Sequence, residues 1–291
     1  MSTVELEPGV EQFRVTEQIE TVATIESQEF LRRHIRTNRP LLMTEMTCNW
    51  PAMQKWSFPF FAQLGTERRI HVEEGNIMQG QTQFRKLEFR DYVQQLMQAD
   101  ENAGERPAYL SVFSIFKAFP QLRSDVDFSI LNDHKVKHTV AGWLGPKGTV
   151  TGFHIDWGDN ILAQICGRKL VYLAAPQETP NMYVSRKFDQ GTTISDVDID
   201  RYDEVQWPRF RQVQLIRIVL HPGQMLFIPR GWWHYVRSLD KSISVSNITF
   251  DWKGILGDAI PFRLLQKLHD WGLYRRPCTC HVMVDGRRVR K

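Results

Sequence analysis

The chain has 291 residues, 42% of them apolar and 24% charged, with a formal net charge of +4, a balance that suits a soluble globule with ample core. No apolar run approaches the roughly 20 residues of a membrane-spanning helix, and four cysteines are too few for a disulfide scaffold. The acidic start, Met1 to Glu7, lacks the basic-then-apolar order of a secretory signal, so a cytoplasmic protein is expected, or a nuclear one in a eukaryotic host.

In chain order, Phe30, Leu31 and Ile35 after Ser27 predict an amphipathic helix, which Arg39-Pro40 ends before a strand begins at Leu41-Leu42-Met43. Phe89, Tyr92, Val93, Leu96 and Met97 repeat at helical spacing and predict a second helix. From Gly145 onward the pattern changes to short alternating runs punctuated by Gly and Pro. Strands are predicted up to His154-Ile155-Asp156, over Asn160 to Cys166, over Lys169 to Leu173, over Leu215 to Leu220, over Met225 to Pro229, over His234 to Leu239 and over Ser242 to Phe250. Many short strands of this kind indicate an all-β sandwich or barrel. The stretch Thr192 to Gln206 contains Asp196, Asp198, Asp200, Asp203 and Glu204 and is expected to be an exposed insert. A last helix is predicted over Pro261 to Leu268, with proline near its start.

His154 and Asp156 are two apart on one predicted strand, so both side chains leave the same face while Ile155 points into apolar packing. A second imidazole, His234, delivered from a distant strand would complete two histidines and one carboxylate, the facial triad that suits Fe(II) and leaves coordination positions open. A bare H-x-D is common by chance, and His34, His71, His134, His138, His221 and His269 are read as structural.

Several phrases carry a family resemblance: Thr151-Gly-Phe-His154-Ile-Asp156, Asn160 within Asn-Ile-Leu-Ala-Gln-Ile, Gly167-Arg-Lys169, Pro222-Gly-Gln-Met-Leu-Phe-Ile-Pro229 and Trp232-Trp-His234-Tyr-Val-Arg-Ser-Leu239. With Arg39 to Leu42 and Trp50-Pro51 through Trp56, they resemble the Jumonji-C (JmjC) branch of the cupin superfamily, in particular its small asparaginyl and arginyl protein hydroxylases. The resemblance implies a mainly β fold, a double-stranded β-helix or jelly-roll core with flanking α-helices. It implies a core at 109–252, an N-terminal helix/strand extension at 1–108 packing on it, and a C-terminal helix with a basic tail at 253–291, all one structural unit. His154, Asp156 and His234 would be the iron ligands and catalytic centre. Lys169, with Thr151 and Tyr109, would hold the distal carboxylate of the co-substrate 2-oxoglutarate, and Asn160 and Asn247 its inner carboxylate. A buried lysine opening an apolar strand fits that role, because an unpaired buried charge is expensive and a dianion supplies the partner.

The implied reaction uses Fe(II), 2-oxoglutarate and O2 to hydroxylate a protein side chain, Arg or Asn, while 2-oxoglutarate is decarboxylated to succinate and CO2. Glu73 falls where the arginyl-hydroxylase type faces a guanidinium, and a carboxylate suits that partner, whereas Gln83 and Ile248 replace expected aromatic walls. Alternatives are the same chemistry on a free amino acid or small metabolite, lysine demethylation, or a non-catalytic cupin binding module. Partners are therefore a protein, peptide or small-molecule substrate, with no membrane, and a homodimer through the C-terminal helix is allowed. The last seventeen residues hold Arg275, Arg276, Arg287, Arg288, Arg290 and Lys291 against Asp285, which reads as a solvated end more readily than a nucleic-acid site. Cys278-Thr279-Cys280-His281, with His269 as a fourth donor, departs from the usual zinc spacing, so structural thiols are expected there. Cys48 and Cys166 read as buried thiols.

Overall fold

The computed structural model of the chain describes residues 12–65, 67–74, 83–98, 108–131, 136–189, 191–275, 277–284 and 287–290. Its first strands are β1 (Arg14–Thr16), β2 (Thr21–Val22), β3 (Leu41–Met43), β4 (Arg69–Glu74), β5 (Gln83–Glu88), β6 (Ala108–Phe113) and β7 (Lys137–Gly145). There follow β8 (Val150–Asp156), β9 (Asp159–Cys166), β10 (Lys169–Ala174), β11 (Thr192–Ile194) and β12 (Gln214–Leu220). The last are β13 (Met225–Ile228), β14 (Trp233–Ser238), β15 (Ser242–Phe250), β16 (His281–Val284) and β17 (Arg287–Arg290).

A six-stranded sheet runs β1-β12-β10-β14-β8-β11 and a nine-stranded sheet runs β2-β3-β13-β9-β15-β7-β6-β4-β5. From β7 to β10 consecutive strands alternate between the two sheets, and they do so again from β12 to β15. This double alternation is the expected jelly-roll core. Between the sheets lies an apolar layer of Leu162 and Leu226 from one side and Val171, Leu173, Ile218 and Leu220 from the other. The period of two explains it: on β10, Val171 and Leu173 enter this layer, while Leu170, Tyr172 and Ala174 join Phe153, Phe210 and Trp233 behind the six-stranded sheet. Both faces of β10 are thus buried, which is why Leu170 to Ala174 is a continuous run without a charged residue. A third cluster, including Phe30, Trp56, Phe61, Phe89 and Tyr92, covers the outer face of the nine-stranded sheet. Among the described residues no helix is long and apolar enough to cross a membrane.

The predicted helices form at Ser27–Phe30, continuing as a wider turn to Ile35, at Phe89–Gln98 and at Ile260–Asp270. Four expectations need correction. Met97 is 45% exposed rather than part of the buried stripe. The acidic insert is not wholly solvated, since β11 pairs with β8 and Ile194 and Val197 are buried. The N-terminal extension does more than pack on the core: β1 joins the six-stranded sheet, and β2 to β5 join the nine-stranded one. Cys48 is exposed and Cys166 only half-buried.

The β9–β10 hairpin turns at Gly167, whose φ of +70° is left-handed and whose added Cβ would sit 2.1 Å from the Lys241 carbonyl oxygen. That conformation costs a side-chain-bearing residue roughly 1–2 kcal/mol, and the backbone clash adds to it. Gly167→Ala is therefore expected to lower Tm by at least about 3 °C in a domain of this size; an unchanged melting curve would contradict this account of the turn.

Candidate active site

β8 supplies His154 and Asp156, and the adjacent antiparallel strand β14 supplies His234 directly opposite His154. The imidazole centroids are 3.9 Å apart. His154 Nε2 lies 3.8 Å from Asp156 Oδ1, and His234 Nε2 lies 3.5 Å from Asp156 Oδ2. All three side chains are buried. Each Nδ1–H is positioned to donate to a backbone carbonyl, His154 to Gly152 at 2.8 Å and His234 to Trp232 at 3.2 Å. That assignment leaves both Nε2 lone pairs directed at the carboxylate, an arrangement that fixes tautomer and ring angle in metal sites. Burial and the neighbouring His154 push His234 down to about 4, so it is neutral at pH 7, the form a metal needs.

Asn160, at the start of β9, donates Nδ2–H to Asp156 Oδ2 at 2.8 Å. One N–H of this amide thus orients Asp156, while its second N–H is left over for the co-substrate carboxylate expected there. Asn160→Ala is expected to weaken Mn(II) or Fe(II) binding roughly 10–100-fold, the usual effect of losing such an outer partner; equilibrium dialysis with Mn(II) measures it, and wild-type affinity would remove the role.

Lys169 lies on the inward face of β10 and is 1% exposed. Its Nζ donates to Ser244 Oγ at 2.6 Å and to Tyr109 Oη at 3.3 Å. These partners are hydroxyls, and burial alone pushes the ammonium down to about 7. Tyr109 is hydrogen-bonded to Thr151, and its phenol is raised by burial. The register of β8 against β14 shifts after His234, so that Val236 pairs with Thr151. This bulge brings Thr151 onto the same wall as His154. Ser244 was missed in the sequence, although the alternation of β15 places Ser244, Ser246 and Ile248 on one face.

Asn247 does not join this group, which corrects its assignment. It lies on the other face of β15 and meets His138 Nδ1 at 3.1 Å through its Nδ2, among residues that pack away from the cavity. One cavity of about 700 Å³ contains the triad, Lys169, Tyr109, Thr151 and Asn160. Glu73, opposite Tyr109 in the β4–β6 pairing, lies on its wall, as do Ile248, Trp143, Trp157 and Phe262. Trp157 and Phe262 meet edge to face at 4.3 Å, an aromatic contact that the sequence did not reveal. The Gln83 side chain lies outside the described residues.

Residues 27–251 match the family described as the Cupin-like domain. The chain belongs to the JmjC branch of the cupin superfamily. It is 31% identical over 226 residues to the Lysine-specific demethylase 8 of Xenopus tropicalis, a match covering 75% of this chain and 50% of that protein. It is 30% identical to the Lysine-specific demethylase JMJ30 of Arabidopsis thaliana, over 78% of this chain and 54% of that protein. It is also 30% identical to the Jumonji C domain-containing protein 5 of Drosophila melanogaster, over 75% and 56%. The chain thus spans about half the length of these relatives.

JmjC oxygenases use Fe(II) and 2-oxoglutarate. The residues here fit both groups. Two imidazoles and one carboxylate converge from one side with all donor atoms within 4.8 Å, a set that favours Fe(II). Across the same cavity stands a buried ammonium whose hydrogen-bond partners are hydroxyls, a natural seat for a carboxylate.

Proposed function

We propose that this JmjC protein is an Fe(II)- and 2-oxoglutarate-dependent dioxygenase that hydroxylates a protein side chain, of the arginine or asparagine class. The observation that carries the reaction class is the presence of the His154–Asp156–His234 triad and the Lys169 ammonium in one cavity. When bound, the iron supplies oxygen activation coupled to conversion of 2-oxoglutarate to succinate and CO2. The protein's own residues do the rest. The triad would hold the ion through three donors, a set that leaves positions open for co-substrate and oxygen. Lys169, Tyr109 and Ser244 receive the distal carboxylate, and Asn160 keeps Asp156 aimed. Leu162, Ile228, Trp157 and Phe262 keep the surroundings apolar, which excludes water and strengthens the charged contacts.

Glu73 on the cavity wall supports a cationic side chain as substrate, since a carboxylate pairs with guanidinium in a bidentate manner. The same acid, together with the demethylase names of the relatives, supports a second reading in which a methylated lysine is oxidised. One assay separates these. Purified protein with Fe(II), ascorbate and 2-oxoglutarate is presented with arginine-, asparagine- and methyl-lysine-containing peptides and with free amino acids, and products are read by mass. Addition of one oxygen to a peptide supports the proposal. Loss of a methyl group with formaldehyde release selects the second reading, and turnover of free amino acids alone transfers the chemistry to small metabolites. Iron-loaded protein that binds no 2-oxoglutarate would make this a binding module.

The C-terminal segment presents Trp252, Leu256, Ile260, Leu264, Leu268 and Trp271 to solvent, Trp271 at 70% exposure. Spacing of mostly four residues makes them one stripe, and such a patch marks an interface. We infer that a second copy of this chain covers it. Light scattering is expected to show a dimer that Leu264→Arg converts to monomer; a monomeric wild type removes the inference.

A further inference from the structure

Two thiols and two imidazoles, distant from the iron triad in sequence, converge where the helix Ile260–Asp270 ends against the start of β16. Cys278, Cys280, His269 and His281 place one donor atom each within 4.8 Å of all the others. His269 Nε2 and His281 Nδ1 are 3.2 Å apart, and Cys280 Sγ lies 3.4 Å from each of them. Cys278 Sγ is 3.5 Å from His281 Nδ1. A tetrahedral zinc ion with Zn–S near 2.3 Å and Zn–N near 2.05 Å requires donor separations of about 3.3 Å between nitrogens and about 3.6 Å between nitrogen and sulfur. The observed edges agree with these within a few tenths of an ångström.

The outer partners are those of a metal site. His269 Nδ1 faces the Tyr274 carbonyl oxygen at 2.9 Å, which claims its proton and leaves Nε2 as a lone pair. His281 Nε2 lies 3.6 Å from Asp270 Oδ1, an electrostatic contact that favours the proton on Nε2 and the lone pair on Nδ1. Asp270 is itself held by Gln266 Nε2 at 2.8 Å. Carbonyl and carboxylate partners of this kind set the tautomer of metal-bound histidine. With those protons assigned, His269 Nε2 and His281 Nδ1 are both acceptors, 3.2 Å apart, which suits a shared electrophile between them.

We propose that Cys278, Cys280, His269 and His281 bind one structural Zn(II) ion. Two thiols lose their protons to solvent on binding, so two thiolates balance the ion's charge and the site is neutral. All four positions are taken by protein, which is the closed arrangement of a structural rather than a catalytic zinc. The expectation of ordinary structural thiols is thereby replaced: the short C-x-C-H run looked incomplete because its fourth donor sits on a helix nine residues upstream.

The site's purpose follows from what it fastens. Thr279 N–H donates to the Phe188 carbonyl at 3.0 Å, Phe188 N–H to the Pro277 carbonyl at 2.8 Å, and the Thr279 hydroxyl to Asp189. Phe188 also stacks on His269 at 4.1 Å. Thr279, Cys280, Asp189, Gln266 and Phe262 line the cavity that contains the iron triad. Zinc therefore ties the C-terminal helix to the Cys278–His281 segment that is bonded to Phe188 and Asp189, just before β11, and sets one wall of the substrate cavity.

The experiment uses the full chain, purified under reducing conditions with zinc supplied, in the wild-type and His154→Ala/Asp156→Ala forms. Elemental analysis after dialysis is expected to give one zinc per chain in the double variant, which lacks the iron ligands, and at least one in the wild type. Cobalt(II) exchanged into the double variant is expected to show the intense visible bands of a tetrahedral ion and a thiolate charge-transfer band in the near ultraviolet, which two histidines and a carboxylate cannot produce. Cys278→Ser/Cys280→Ser is expected to lose the zinc, and in the His154→Ala/Asp156→Ala background a chelator should lower Tm only while both cysteines remain. Absence of zinc from the wild type, a cobalt spectrum without thiolate bands, or full zinc retention without the cysteines each overturns the proposal. None of these readouts depends on turnover, so the iron-site reading stands or falls separately.

Discussion

Alanine at His154 or His234 is expected to abolish succinate formation and to weaken metal binding by more than the roughly 10–100-fold typical of losing an outer partner. The reason lies in the count of donors. Three protein ligands occupy one face of the ion, and removing one leaves two, while the second histidine still faces Asp156 across 3.5–3.8 Å. Folding should survive, because the apolar layer between the sheets is built from other residues, Val171, Leu173, Ile218 and Leu226 among them. Metal content, 2-oxoglutarate turnover and Tm measured on the same preparations separate these effects. Wild-type succinate production by a folded His154→Ala protein would end the iron-site interpretation.

Lys169→Met is expected to weaken 2-oxoglutarate binding by roughly 10²–10⁴-fold, the equivalent of the 3–5 kcal/mol associated with breaking a buried ion pair, while leaving the metal in place. Stability should move the other way. The native ammonium sits at about 7 against an ordinary 10.5. Between those values the unfolded chain holds a proton that the native state lacks, so this group makes stability rise with pH across that window. Below pH 7 both states are charged and the burial penalty is fully present. The methionine variant without co-substrate should therefore melt above the wild type, by most below pH 7 and by less as pH approaches 10.5.

The same shift predicts proton uptake on binding. At pH 8 the free Lys169 is mostly neutral, and a carboxylate placed beside it raises its pKa and draws in close to one proton. At pH 6 it is already charged, so uptake disappears. Calorimetry of 2-oxoglutarate binding to the metal-loaded protein, in buffers of differing ionisation enthalpy, measures this directly. Equal heats in all buffers at pH 8 would show that the ammonium is not the carboxylate's partner.

What could be read in the sequence follows from the period of two along a strand. His154 and Asp156 share a face wherever β8 lies, and Lys169 shares one with Val171 and Leu173, although only the structure decided that this face of β10 is the one toward the cavity. The all-β sandwich or barrel class was legible for the same reason, from short alternating runs with Gly and Pro between them, whereas the jelly-roll itself was implied by the family resemblance. Alternation has two phases, however, and sequence does not choose between them on a strand buried on both faces. Asn247 and Ser244 on β15 show this: only pairing with β7 and β9 decided that Ser244 meets Lys169 while Asn247 meets His138. The partner of Asn160 was likewise invisible, since nothing in the order of residues says that its amide donates to Asp156.

The chain alone thus determined which residue types were present in metal-binding spacing and that its strands would close around them. Tertiary structure decided the partners. It set His234 opposite His154 and gave the Lys169 ammonium two hydroxyls. It also carried His269 to the Cys278–His281 turn, because coordination depends on distances of a few ångströms between segments whose separation along the chain says nothing about their separation in space.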